Sequence, residues 1–152
     1  MKLFLLRHGE AGSHARDFDR ELTTRGLEQT RSVLARCADA GVSPARIWTS
    51  PLIRARQTAA EAESLWELKA EIQPFITPDD DPQKVLAALG ALEANHPPLL
   101  IVSHMPLLGL LSGLLLDGVR GNRPLQTSQL VAMDMHFAIA DGAELIGTWI
   151  PE

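Results

Sequence analysis

Three short polar clusters in this sequence contain side chains suited to binding an anion. Arg7 and His8 follow the first apolar run of the chain, Arg54 follows the second by a few residues, and His104 follows a later one. Arginine pairs with phosphate oxygens through two parallel hydrogen bonds, and the start of a helix adds backbone N–H donors. If these two arginines and two histidines meet, they form an anion site for which phosphate is the natural ligand.

The elements around the clusters determine whether they can meet. The apolar runs have the length of buried strands, and helical patterns follow them, so the chain alternates strand and helix. We predict strands at Lys2–Leu6, Arg46–Thr49, Ala70–Gln73, Leu99–Val102, 128–137 and 143–150. Helices are predicted from Thr23 or Thr24 to about Ala40, from Ser50-Pro51 to about Trp66, from Pro82 to about Asn95, and from Pro106 to Leu116.

This order predicts one α/β domain over residues 1–152. The domain has three α/β/α layers, a mainly parallel central sheet and an antiparallel hairpin at its C-terminal edge. Ligands of open α/β sheets bind outside the carboxyl ends of the strands. The three polar clusters all follow predicted parallel strands, so they are expected to converge on one crevice.

Composition and charge exclude several classes of protein. A single cysteine, Cys37, permits neither an internal disulfide nor a cysteine zinc cluster. The net charge of −5 argues against general nucleic-acid binding, yet residues 1–60 hold ten of the 14 Lys and Arg residues against six acidic ones. The apolar stretch Leu99–Leu116 is interrupted by Ser103, His104 and Pro106, so we interpret it as strand, turn and helix and expect a cytoplasmic protein.

Four motifs in this order resemble those of the histidine phosphatase superfamily, which has the phosphoglycerate-mutase-like fold. They are Leu6–Glu10, Leu22–Gly26, Ser50–Thr58 and Val102–Pro106. The resemblance spans nearly the whole chain, and the small size without insertions is most similar to the phosphohistidine phosphatases of that superfamily.

The resemblance implies a role for each matching residue. His8 would be the nucleophile and would carry the phosphoryl group covalently. Arg7 and Arg54 would hold the phosphoryl oxygens, and His104 would donate a further hydrogen bond. Gly9 would leave room for the backbone to approach the phosphate. Ser50, in contrast, has no evident base near it and is interpreted as a helix cap.

The sequence departs from the family pattern where many members supply an acid for the leaving group. Phe75 stands where a glutamate is expected. Asp79, Asp80 and Asp81 follow it, and their simplest role is to cap the helix that begins at Pro82. Glu10 is a further candidate, and the acid stays unassigned. An alkyl phosphate needs such an acid more than a phosphohistidine does, because imidazole leaves readily.

The leading prediction is therefore a metal-independent phosphatase that acts on phosphohistidine in a partner protein. Alternatives are a phosphatase for a small phosphate ester and a non-catalytic phosphate-binding module. No cofactor is expected, and no metal, because Arg7 would repel a cation from the set His8, Glu10 and His14. No membrane or nucleic-acid partner is expected.

Overall fold

A six-stranded sheet in the order β3-β2-β4-β1-β5-β6 organises the chain. The computed structural model describes all residues from 1 to 152. The strands are β1 (Lys2–Arg7), β2 (Arg46–Thr49), β3 (Ala70–Ile72), β4 (Leu99–Ser103), β5 (Leu130–Met135) and β6 (Ala143–Trp149). The helices are α1 (Thr24–Asp39), α2 (Ile53–Trp66), α3 (Pro82–Gly90) and α4 (Leu107–Asp117), with one 3₁₀ turn at Asp17–Asp19.

The sheet has the predicted mixed topology. Strands β3, β2, β4 and β1 are parallel to their neighbours, whereas β5 pairs antiparallel with β1, and β6 pairs antiparallel with β5. In the central parallel pairs, Arg7 lies beside Ser103 and Thr49 beside Val102. The predicted fold class is confirmed, and the ends of β1, β2 and β4 lie at one edge of the sheet.

Each face of the sheet buries its own apolar core against two helices. Alternate strand residues point to opposite faces, so Phe4 and Leu6 pack with α1 and α2, while Leu3 and Leu5 pack with α3 and α4. Cys37 of α1 lies in the first of these cores with no exposed surface. Burial raises the pKa of its thiol to about 12.

Local sequence signals explain most element ends. The Thr23 hydroxyl accepts the Gly26 N–H and caps α1, and Gly41 follows this helix with a φ of 95°. The Asp81 carboxylate accepts the Gln83 N–H and caps α3, as predicted for the acidic run. The helix predicted to reach about Asn95 instead ends at Gly90, because glycine is a poor helix residue.

The apolar stretch 99–116 is divided as predicted, into β4 and all but the last residue of α4, with a turn between them. None of the helices combines the length and the apolar character needed to span a bilayer.

Candidate active site

The three polar clusters meet at the carboxyl edge of the parallel strands. Strand β1 delivers His8, and the His8 N–H donates to the Ser103 carbonyl of β4 at 3.0 Å. The rings of His8 and His104 have their centroids 5.0 Å apart. Arg54, in the first turn of α2, places its Nε 3.3 Å from His8 Nε2. Side chains from three separate parts of the sequence, His8, Arg54 and His104, therefore lie together, and all three are buried.

The His8 ring is held with a free lone pair on Nε2. Its Nδ1 lies 2.7 Å from the Gly9 carbonyl, which can only accept a hydrogen bond, so Nδ1 carries the proton. Nε2 is then unprotonated and accepts the hydrogen bond from Arg54. Burial, together with the charges of Arg54 and Arg7, lowers the pKa of His8 to about 4. The ring is neutral at pH 7, as a nitrogen nucleophile requires.

Two guanidinium groups supply the positive charge of the pocket. Arg54 is almost fully buried, and Arg7 donates from Nη1 to the Leu125 carbonyl at 2.8 Å. Burial and the neighbouring Arg54 lower the pKa of Arg7. The Arg7 Nε is buried and has no protein partner. A buried donor without an acceptor is costly, so an acceptor for this N–H would be stabilising.

His104 is held by Ser50. Its Nε2 lies 2.7 Å from the Ser50 hydroxyl oxygen, and its Nδ1 is buried without a partner. Burial, followed by repulsion from a protonated His8 ring and from Arg54, lowers the pKa of His104 to about 2, so this ring is neutral at pH 7 as well. The prediction that Ser50 caps a helix is wrong. Helix α2 begins at Ile53, and Leu52, its N-cap, makes no side-chain capping bond.

Gly9 packs closely against α1, which leaves no space for a side chain. A Cβ on Gly9 would lie 2.8 Å from both the Gly26 carbonyl oxygen and the Thr30 hydroxyl oxygen of α1. The Gly9 N–H already donates to the Thr58 hydroxyl at 3.1 Å. A side chain at Gly9 would therefore collide with α1. The close approach of the Gly9 backbone to a phosphate stays a prediction.

The polar loop between β1 and α1 contributes two residues that the sequence did not single out. The Asp17 carboxylate lies 3.2 Å from Arg54 Nη2, and its backbone carbonyl accepts from Arg54 Nη1 at 2.8 Å. Arg20 donates to the same carboxylate at 3.2 Å. Partial burial raises the pKa of Asp17, but the hydrogen bonds from Arg20 and Arg54 outweigh it, and the pKa lies below its ordinary value.

Most of the candidate acids have other partners. The Asp80 carboxylate accepts from the N–H and the hydroxyl of Thr77, and Asp81 caps α3. The Glu10 carboxylate accepts the Thr23 hydroxyl at 2.9 Å. No hydrogen bond joins Asp79 to the pocket. These bonds fix the loops in which the acids lie and assign none of them to a leaving group.

No group of three or more His, Cys, Asp or Glu side chains is arranged to hold a metal ion. The positive charge of the site comes from arginine. Fold and site together define an α/β protein with two buried histidines and a buried arginine at the carboxyl ends of its parallel strands.

Comparison with known proteins identifies the family of this chain. Residues 3–77 match the model of the histidine phosphatase superfamily, branch 1. Phosphohistidine phosphatase SixA of Escherichia coli K12 is 36% identical over 122 residues, which cover 78% of this chain and 76% of that protein. The chain therefore belongs to the histidine phosphatase superfamily. The predicted family and enzyme class, a hydrolase acting on phosphoryl groups, are confirmed.

Solved structures agree with this assignment. The protein histidine phosphatase SixA complexed with tungstate superimposes with a TM-score of 0.89 at 30% identity, covering 99% of this chain and 97% of that one. The alpha-ribazole phosphatase of Shigella flexneri gives a TM-score of 0.74 at 22% identity, covering 100% and 96%. The second similarity concerns the fold alone.

Proposed function

We propose that this protein removes phosphate from phosphohistidine in a partner protein, without a metal ion, through a phosphoryl group carried transiently on His8. The observation that carries the proposal is the His8 ring. Its Nδ1–H is bound to the Gly9 carbonyl, and its Nε2 lone pair lies beside Arg54 in a buried pocket. The relative named phosphohistidine phosphatase SixA supports the choice of substrate.

The reaction takes place in two displacements. His8 Nε2 attacks phosphorus, the new N–P bond forms, and the P–N bond to the substrate imidazole breaks, so that the imidazole leaves with its electron pair. Water then attacks the phosphoryl group on His8 and releases inorganic phosphate and the free ring. Covalent catalysis divides one difficult displacement into two easier ones.

The other three residues stabilise the transferring group. Arg7 and Arg54 bind phosphoryl oxygens, whose negative charge they offset in a pocket that excludes most water. The Nδ1 of His104 donates a further hydrogen bond. Phosphoryl transfer depends mainly on positioning and charge stabilisation, and such preorganised donors supply both.

The position of the acids favours phosphohistidine over alkyl phosphates. Glu10, Asp80 and Asp81 are engaged within their own loops, and Asp17 is held ionised by two arginines. An ionised carboxylate cannot protonate an alkoxide. A phosphohistidine needs no such acid, because a ring protonated on its second nitrogen leaves as neutral imidazole.

A rapid-quench labelling experiment tests the proposal. The protein is mixed with a ³²P-phosphohistidine protein or, separately, with a panel of small phosphate esters, and with or without chelator. We expect acid-labile, alkali-stable label on the wild type and none on His8→Ala. His136→Ala, which removes an exposed histidine at the end of β5, is the matched control and keeps the label.

The outcomes separate the candidate functions. Turnover of the phosphohistidine protein well above that of every ester, unchanged by chelator, supports the proposal. Faster turnover of one small ester would replace it with the small-metabolite phosphatase. Binding of phosphate without label or turnover would indicate a phosphate-binding module instead.

A further inference from the structure

Ser50 lies in the turn between β2 and α2 and has no exposed surface. Its hydroxyl oxygen has two neighbours. The Leu52 N–H donates to it at 3.3 Å, and His104 Nε2 lies 2.7 Å from it. This residue therefore joins the start of the Arg54 helix to the histidine that follows β4.

Hydrogen-bond accounting assigns the donor in the short contact. A hydroxyl has one hydrogen and two lone pairs. The Leu52 N–H uses one lone pair. If His104 Nε2 also donated to the hydroxyl, the Ser50 hydrogen would have no acceptor in a fully buried position. If Ser50 donates to Nε2, both the Ser50 hydrogen and the Nε2 lone pair have a partner.

The tautomer of His104 follows from this assignment. Its Nε2 accepts a hydrogen bond, and the ring is neutral, so the single ring proton resides on Nδ1. That Nδ1 is buried and has no partner in the protein. The His8 ring lies 5.0 Å away, centroid to centroid. His104 thus holds one free N–H inside the anion pocket, and an oxyanion would satisfy it.

We propose that Ser50 is a positioning residue that fixes His104 as its Nδ1–H tautomer and so presents an N–H to the phosphoryl group. In the other tautomer Nδ1 would turn a lone pair toward negatively charged oxygens and repel them. The inference rests on the proposed function for the identity of the oxyanion. The tautomer itself rests only on the hydrogen bonds of Ser50.

Nitrogen NMR of the ¹⁵N-histidine-labelled protein tests the tautomer without any activity. We expect His104 to show a protonated Nδ1 and an unprotonated Nε2 at pH 7. Ser50→Ala should lose this fixed pattern and shift toward a mixture of tautomers. A wild-type spectrum with protonated Nε2 would overturn the inference, whatever the protein hydrolyses.

Kinetics with p-nitrophenyl phosphate tests the consequence. Ser50→Ala should lower kcat roughly tenfold to hundredfold, less than the ~10²–10³-fold typical of removing a preorganised donor outright, with a smaller change in KM. Ser50→Thr keeps a hydroxyl and should recover part of the loss. Ser112→Ala is the matched control, because Ser112 is equally buried and its hydroxyl has no partner.

A double-mutant cycle shows whether Ser50 acts through His104. In His104→Asn the amide nitrogen can donate from near the Nδ1 position and has no counterpart to Nε2. Adding Ser50→Ala to this variant should then lower kcat little further. If Ser50→Ala lowers kcat as much in His104→Asn as in the wild type, Ser50 acts by supporting α2 instead. If Ser50→Ala does not fold, the wild-type NMR spectrum still tests the His104 tautomer, and the kinetics of Ser50→Thr still test the role of the hydroxyl. Failure of the phosphatase proposal would appear separately, as the absence of label on His8.

Discussion

At the scale of single residues, Arg54 is shared between the nucleophile and a carboxylate of its own chain. Its Nε donates to His8, while Nη1 and Nη2 bind the backbone and side chain of Asp17. The Asp17 side chain is 63% exposed, whereas that of Arg54 is 5% exposed. A phosphoryl group that binds Arg54 must therefore approach an ionised carboxylate or displace it.

Asp17→Asn should consequently strengthen the binding of oxyanions. Removing the negative charge leaves Arg54 freer to bind an anion. An exposed, screened pair is worth about 0.2–1 kcal/mol, which corresponds to roughly a 1.4- to fivefold lower inhibition constant for vanadate. Because the pKa of Asp17 is below its ordinary value, the effect should be constant from pH 5 to 8. High salt should reduce it.

Asp19→Asn is the control for this change. Asp19 lies in the same 3₁₀ turn but pairs with Arg16 at 3.3 Å rather than with Arg54. Vanadate inhibition should stay at the wild-type level in this variant. Equal or weaker vanadate binding in Asp17→Asn would show that Asp17 does not compete for Arg54.

The sequence predicts some site residues and misses others for a physical reason. Arg7, His8, Arg54 and His104 follow strands, so the topology of a parallel sheet brings them together. Asp17 lies in a loop without periodicity, and its contact with Arg54 depends on how that loop folds back. Ser50 precedes a proline, a pattern typical of a helix start, and only its neighbour across the sheet shows its other role.

At the scale of elements, the loop after β1 packs directly on the first turn of α1. A Cβ on Gly26 would lie 2.2 Å from the Glu10 carbonyl oxygen and 2.8 Å from its nitrogen. Backbone atoms cannot yield as a flexible side chain can. The absence of a side chain at Gly26 therefore fixes the path of the chain immediately after His8.

Gly26→Ala should both destabilise the protein and reduce activity. Overpacking costs about 1–3 kcal/mol, measured as a lower free energy of unfolding in urea. Activity should fall further than the folded fraction explains, because residues 8–10 must move. Gly90→Ala is the control, since its Cβ would meet only Ala138 at an ordinary 3.6 Å. Wild-type stability in Gly26→Ala would contradict the packing argument.

The acidic loop before α3 offers a second prediction at this scale. Replacing Asp79, Asp80 and Asp81 with asparagine keeps the cap possible and removes the titratable groups. Phosphohistidine hydrolysis should change little, and alkyl phosphate hydrolysis should stay slow. General acid catalysis supplies ~10²–10⁴-fold, so a hundredfold loss on alkyl phosphates, with loss of the acid-side pH dependence, would place the acid in this loop.

At the scale of the whole molecule, the two buried histidines link stability to pH. In the unfolded chain both titrate near their ordinary pKa of about 6.5. In the folded protein the pKa is about 4 for His8 and about 2 for His104, mainly because of burial. Below pH 6.5 the unfolded state binds more protons, so the free energy of unfolding falls as the pH decreases.

His104→Asn should therefore flatten the acid side of the stability curve. Each buried imidazole contributes a slope of about 1.4 kcal/mol per pH unit, so the variant should lose less stability than the wild type between pH 6 and 4. Urea unfolding at several pH values measures the slope. His136→Asn, at an exposed position, should keep the wild-type slope. If the free energy of unfolding falls equally with pH in wild type and His104→Asn, the lowered pKa of His104 in the folded protein is refuted.

The order of elements was predictable because strand and helix patterns alternate along the whole chain and the antiparallel hairpin has a turn signal at Asp141-Gly142. The sheet order was less accessible. Strand β4 pairs between β1 and β2, which are far from it in sequence. Nothing local in Leu99–Ser103 specifies those neighbours. Every residue of β4 is buried, which is consistent with a central strand but does not say which strands lie beside it.

The burial of Cys37 has a consequence for oxidative stress. Many phosphatases with a thiolate nucleophile stop working when peroxide oxidises that sulfur. Here the only thiol lies in the core, with a pKa near 12, and the proposed nucleophile is a ring nitrogen. Dilute hydrogen peroxide or iodoacetamide should leave turnover intact, and rapid inactivation by either would contradict this. Such an enzyme would continue to dephosphorylate its substrates under oxidising conditions that inactivate phosphatases with a cysteine nucleophile.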